Sequence, residues 1–179
     1  MPPSLVIDTL TPADWEAVRP IYLEGIATGQ ATFEADAPLW PDWDAAHHPH
    51  CRLVARYEGR VIGWAALGPI SRRKVYAGVA EVSVYVAANC RGRGVGKHLL
   101  QAIIEASERA GIWTLQASSF AENTASVALQ QSCGFRLVGR RERIGRLNGV
   151  WRDTIFTERR SRVVGLGDGP TDAKQTLTE

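Results

Sequence analysis

Apolar residues along this chain recur with two different periods, and the switch between them marks its most informative stretch. After Glu81, Val82, Val84 and Val86 alternate with Ser83 and Tyr85, which is the period of a half-buried strand. From Val95 the apolar positions return every third or fourth residue, at Leu99, Leu100, Ile103 and Ile104. Lys97, Gln101, Glu105, Glu108 and Arg109 fill the opposite side, so this part reads as an amphipathic helix. The same reading puts a first strand at 5–10 and a helix from Thr11-Pro12 with a stripe at Trp15, Val18, Ile21, Tyr22 and Ile26. A short helix follows at 40–46, then strands at 53–57 and 61–67 joined by the turn residues Glu58-Gly59-Arg60. A strand at 113–119, a short helix ending at Ser132, and strands at 135–143 and 151–157 complete the series. The order βααβββαβαββ combines an antiparallel meander with a crossover. It predicts an α/β (α+β) fold with a mixed central sheet and helices on both faces.

With 179 residues the chain suits one domain, placed at 1–160, and the aperiodic polar stretch 161–179 reads as a mobile tail. Twenty-one basic against 19 acidic residues leave a net charge of +2, which argues against general nucleic-acid binding. Three cysteines, Cys51, Cys90 and Cys133, have neither paired nor metal-type spacing and suit free thiols in a reducing compartment. The start Met-Pro-Pro-Ser lacks a signal pattern, and no apolar run is long enough to span a bilayer, so a cytoplasmic location follows by elimination. His47, His48 and His50 cluster, but without a carboxylate or cysteine at ligand spacing; no metal is expected there.

Between strand and helix runs Arg91-Gly92-Arg93-Gly94-Val95-Gly96-Lys97. A Walker loop would need Gly where Arg91 stands and Ser or Thr where His98 stands; a dinucleotide turn would need Gly at Lys97. Neither fits. The spacing present is Arg-x-x-Gly-x-Gly. A strand–glycine turn–helix can aim backbone N–H groups at an anion, or it can be a left-handed turn with solvated arginines. The turn alone leaves both readings open.

Further residues carry a resemblance: Ala31-Thr32-Phe33-Glu34, Gly68-Pro69 with the basic loop to Tyr76, Glu81-x-Ser-Val-Tyr-Val, Asn123-x-x-Ser126, Cys133-Gly134-Phe135 and Trp151-Arg152-Asp153. With the Arg-x-x-Gly-x-Gly loop and the element order, the chain over about 5–158 resembles GNAT-type N-acetyltransferases, most of all the phosphinothricin acetyltransferase-like subfamily. The resemblance implies acetyl-CoA as co-substrate, its pyrophosphate on Arg91, Gly92, Arg93, Gly94, Val95, Gly96 and Lys97. Its pantetheine would lie along Val84 and Val86, with Asn123 and Ser126 nearby; Asn123 reads equally as a helix cap. It also implies a small amino-acid-like amine substrate of the phosphinothricin, methionine sulfoximine/sulfone or arsinothricin type, contacted by Phe33, Arg73, Tyr76 and Tyr85, and a homodimer.

The chemistry has its own requirement. An α-amino group with a pKa of about 8 must lose a proton before it attacks a thioester. Glu81, at the start of the strand that feeds the turn, is the candidate general base, with a surface carboxylate as the alternative. A carboxylate of ordinary pKa is a weak base, so burial of Glu81 or a water relay is expected. Two positions depart from the subfamily: Gln130 stands where Tyr or His is usual, and Arg152 where His is usual. The first removes the usual acid for the departing thiolate, and the second offers Arg152 to another anionic substrate group. Two further readings remain, a protein N-terminal acetyltransferase and a non-catalytic acyl-CoA sensor.

Overall fold

The computed structural model describes residues 5–167. Its elements are β1 (Leu5–Thr9), α1 (Trp15–Ala27), α2 (Trp40–Ala46), β2 (Arg52–Tyr57), β3 (Arg60–Pro69), β4 (Val79–Val86), α3 (Val95–Arg109), β5 (Thr114–Phe120), α4 (Thr124–Ser132), β6 (Arg136–Leu147) and β7 (Val150–Arg160). The strands form one seven-stranded sheet in the order β1-β2-β3-β4-β5-β7-β6. All pairs are antiparallel except β4–β5, which is parallel and limited to Val79–Glu81 against Thr114–Gln116. Beyond Glu81 the two strands part, and β4 continues to Val86 with β3 alone beside it.

Each face of the sheet carries its own core, as the alternation in β4 requires. Val82, Val84 and Val86 face α3, where Val95, Leu99, Leu100, Ile103 and Ile104 pack. Tyr85 faces α1 and α2, where Trp15, Val18, Ile21, Trp43 and Trp64 are buried. Trp64 stacks on Tyr85 with ring centroids 4.7 Å apart, and Tyr22 meets both edge-on. Gly25 on α1 makes that possible, because a Cβ there would lie 2.6 Å from the Tyr85 ring. Arg52, almost wholly buried, donates to the His47 and His48 carbonyls and to the Asp44 carboxylate and carbonyl, which ties down the end of α2. His47 is committed to structure: its ring stacks on Trp43 and its Nδ1 lies 2.7 Å from the Trp43 carbonyl.

Two boundaries differ from the sequence reading. β6 and β7 reach Leu147 and Val150 and close over Asn148-Gly149, both at positive φ, where the sequence reading ends β6 at 143. An Asn-Gly pair is the turn chemistry that a tight hairpin demands, but the arginine-rich run before it hides the strand period. The chain also stays tied past 160. Ser161 is buried and donates to Glu108, and Arg160 donates to the Val164 and Gly165 carbonyls. The first residues assigned to a mobile tail are thus pinned to the domain, and 168–179 lie outside the described residues. Among the described residues no helix is long and apolar enough to cross a membrane.

At the entrance to α1, Asp14 accepts hydrogen bonds from the Thr11 N–H (2.9 Å) and hydroxyl (3.0 Å) and from Arg56 (2.7 Å). Burial pushes its carboxyl up, but the Thr11 N–H, the Arg56 guanidinium and the Thr11 hydroxyl together hold it below the usual range. The unfolded chain therefore binds this proton more readily, and the stabilisation present above the unfolded pKa fades as pH falls through the folded one. Asp14→Asn should cost about 1 kcal/mol in urea unfolding at pH 7. The gap to wild type should narrow in acid; a pH-independent gap would contradict this account.

Candidate active site

The parting of β4 and β5 opens the sheet, and two connected cavities occupy the opening. The larger, about 580 Å³, runs from Val84 and Val86 along the start of α3. Its lining includes Arg91, Gly92, Gly94, Val95, Gly96 and Lys97 from the glycine turn, and Asn123 and Ser126 from α4. Gly92 and Gly94 take φ of 72° and 84°, the left-handed conformation that glycine adopts without strain. This turns the chain so that the first N–H groups of α3, which have no intrahelical partner, face the groove. Arg91 Nε donates to the Val86 carbonyl (3.0 Å), pinning the turn to the strand end. Of the residues assigned to the turn by sequence, only Arg93 is not among the groove's lining residues.

The groove fits an extended chain with a diphosphate at one end. The free edge of β4 offers strand-type hydrogen bonds to amide groups, and the helix start offers donors and a positive dipole end to phosphate. Gly96 faces Leu129 and Val86, where a Cβ would lie 3.2 Å from the Leu129 side chain.

The second cavity, about 480 Å³, is walled by Thr32, Phe33 and Glu34, by Glu81 and Ser83 of β4, and by Arg141, Ile144 and Gly145 of β6. Phe33 is wedged between Phe120, 4.7 Å away edge-on, and Gly145, where a Cβ would meet its ring at 2.6 Å. Ala31, Val84, Tyr85, Asn123, Ser126 and Leu129 line both cavities and mark where they meet. Burial and the nearby Tyr22 phenol push the Tyr85 phenol well above its ordinary range, so it stays protonated.

Several expectations change at this point. Glu81 does line the second cavity, at the place where β4 leaves β5, but it is exposed, so the expected burial is not there and water reaches the carboxylate. Arg73 and Tyr76 sit on an exposed loop, stacked on each other at 5.6 Å, and neither lines the cavity. Among its described lining residues the cation is Arg141 instead, with its guanidinium 3.8 Å from the Phe156 ring centroid. Arg152 is not available to a substrate. It donates to the Gly29 carbonyl (3.0 Å) and Gln30 Oε1 (3.1 Å), pairs with Glu122 (3.3 Å) and lies 4.1 Å over Phe120. Its work is to clamp the loop that carries Phe33. Asn123 does two things at once: its Oδ1 accepts from the Ser126 N–H as a helix cap, and its Nδ2 donates to the Gln30 carbonyl.

Known proteins resemble this chain in sequence and in fold. Residues 15–135 match the acetyltransferase (GNAT) family. The chain is 33% identical over 157 residues to a phosphinothricin N-acetyltransferase of Alcaligenes faecalis, covering 82% of this chain and 77% of the relative. A solved GNAT superfamily phosphinothricin acetyltransferase from Sinorhizobium meliloti, in complex with AcCoA, superposes with a TM-score of 0.81 at 27% identity over 95% of each chain. A ribosomal-protein-alanine N-acetyltransferase from Brucella melitensis is similar too, with a TM-score of 0.80 and 31% identity over 87% of this chain and 99% of that one.

Proposed function

The chain belongs to the acetyltransferase (GNAT) family, and on that premise we propose that it transfers the acetyl group of acetyl-CoA to the amino group of a small amino acid or amino-acid analogue. The observation that carries the substrate class is the charge pattern of the second cavity. It holds two carboxylates, Glu34 and Glu81, and one guanidinium, Arg141, around an aromatic wall. An α-amino acid presents the complementary set, an ammonium and an anion a few ångströms apart. Arg141 suits a carboxylate or phosphinate because its donors form a planar fork.

Glu81 acts as the general base, through a water where the amine is not in direct reach, since the group is open to solvent. The β4 backbone from Val84 to Val86 aligns the pantetheine arm and the turn at Arg91–Lys97 holds the diphosphate. Together they bring the thioester to the junction of the cavities, where orientation itself supplies much of the rate. Phe33 and Tyr85 shape the amine side. The similarity to a ribosomal-protein-alanine enzyme gives a protein N-terminus as the second reading.

The test is thiol release from acetyl-CoA with phosphinothricin, methionine sulfoximine, methionine sulfone, alanine-terminated peptides, and matched amines lacking the acidic group. Turnover is expected with the zwitterionic analogues and not with peptides. Arg141→Met should raise KM about tenfold or more for the zwitterions, the order of a lost charged hydrogen bond, and leave the matched amines unchanged. Turnover of peptides alone would establish the second reading.

A further inference from the structure

Behind the junction of the two cavities lies a buried polar chain that the acetyl-transfer scheme has not used. Thr157 on β7 is fully buried, and its hydroxyl donates to Gln130 Oε1 (2.8 Å). Gln130, also buried, donates through Nε2 to Ser119 Oγ (3.0 Å) and Ser126 Oγ (3.3 Å). Ser119 in turn donates to Ser126 Oγ (3.2 Å). The polarity is set at the Thr157 end. A buried hydroxyl must place its proton, so Thr157 fixes the amide oxygen toward itself and the amide hydrogens toward the two serines.

Every donor in the chain therefore runs toward one atom. Ser126 Oγ accepts twice, from Ser119 and Gln130, which leaves its own proton unengaged at a position lining both cavities. Such a directed chain strengthens its terminal donor, because each bond polarises the next. Ser126 also sits in the first turn of α4, where the helix dipole favours negative charge. Of the other polar side chains at the junction, Asn123 is committed to the Gln30 carbonyl, and the Tyr85 ring is held by Trp64 and Tyr22.

We propose that Ser126 is a preset hydrogen-bond donor to the departing coenzyme A sulfur, with Gln130, Ser119 and Thr157 as its positioning residues. The proposal rests on the coenzyme reading above. In the reaction the amine nitrogen bonds the acyl carbon and the carbon–sulfur bond breaks, with its electron pair passing to sulfur. The amine's surplus proton leaves through Glu81 and water. Ser126 keeps its proton, since an alkoxide would be far more basic than a thiolate, and stabilises the sulfur anion by hydrogen bonding until solvent protonates it. Donors aimed at where charge develops are the efficient form of such help. The glutamine then has a role of its own: it orders the serine that stabilises the thiolate by hydrogen bonding, in place of an acid at position 130.

The experiment is a thiolate titration of coenzyme A bound to the protein, followed by ultraviolet absorbance with desulfo-coenzyme A as the reference. It needs no amine. A free thiol titrates near 8.5; on the wild-type protein the value should fall by about one pH unit, the size of one hydrogen bond to a charged group. Ser126→Ala should return it to the free value, and Ser126→Thr should keep it low. Thr157→Val, which touches neither cavity, should raise it part-way by releasing the Gln130 amide, and Thr157→Ser should restore it. Equal values for wild type and Ser126→Ala would overturn the donor role, and a wild-type value for Thr157→Val would overturn the assigned polarity. No turnover with any amine would sink the transferase reading while the titration still decides this one; failure to bind coenzyme A would overturn both.

Discussion

Glu81→Gln should lower kcat for the accepted amine by about 10²–10³-fold, the usual worth of a positioned general base, with coenzyme A affinity within about twofold of wild type. The expectation comes from where Glu81 stands. It is the last residue of β4 paired to β5, and the strands part beyond it. Its side chain thus reaches the amine cavity while the groove beside it belongs to Val84 and Val86. The substitution keeps the size of the side chain, exchanges an acceptor oxygen for a donor, and removes the charge together with the ability to take a proton. The loss should be relieved as pH rises toward the amine's own pKa of about 8, where the free base needs no help. Unchanged kcat in the variant across pH 6–9 would remove Glu81 from the mechanism and return it to the reading of a surface carboxylate.

Trp64→Ala should destabilise the fold by about 3–5 kcal/mol, as large-to-small changes of buried aromatics do, and lower the melting midpoint by about 10 °C. Trp64 is 1% exposed and touches Tyr85, Tyr22 and Trp43 through ring contacts of 4.7, 5.4 and 5.7 Å. Its indole N–H has no partner, so the ring contributes through packing alone. Trp64→Phe should therefore recover most of the loss, which a hydrogen-bonding role would not allow. Because the indole is also the platform under Tyr85, the Ala variant should bind the amine more weakly even well below its melting point. Calorimetry checks the first effect and KM the second; a drop under about 1 kcal/mol would show that the aromatic cluster is not the core of that face.

Where local pattern and local geometry coincide, the sequence was readable. The strand–turn–helix over 82–109, the valine alternation and the apolar stripe of α1 each need only near neighbours to specify them, and each is found where its period places it. Most of the residues that the resemblance assigns to the coenzyme come from one continuous segment, and within the turn all but Arg93 line one groove. The amine side was only partly readable, because it is assembled across the fold. Phe33, Glu81 and Arg141 lie far apart in sequence and meet through the sheet order, which no local period reports. Arg141 lies inside the strand expected at 135–143, but no local period says which cavity it faces; Ile144 and Gly145 fall beyond that strand's expected end, for which Asn148-Gly149 is the available signal. Arg73 and Arg152 show two limits of another kind. Whether an arginine's donors are free depends on partners such as the Gly29 carbonyl, which holds Arg152, and whether it reaches a cavity depends on the course of its loop, which carries Arg73 outside this one.

The contact between Phe33 and Gly145 has a consequence for how such a protein changes over generations. The wall of the amine cavity at this point is a hairpin edge leaning on a loop, whereas the coenzyme groove is cut into β4, α3 and α4. A substitution in 141–145 reshapes the acceptor side without moving a groove residue, so new acceptors can be sampled by drift while the donor half stays intact. Gly145 sets the sharpest limit on that drift: any side chain there must first displace the aromatic ring it faces.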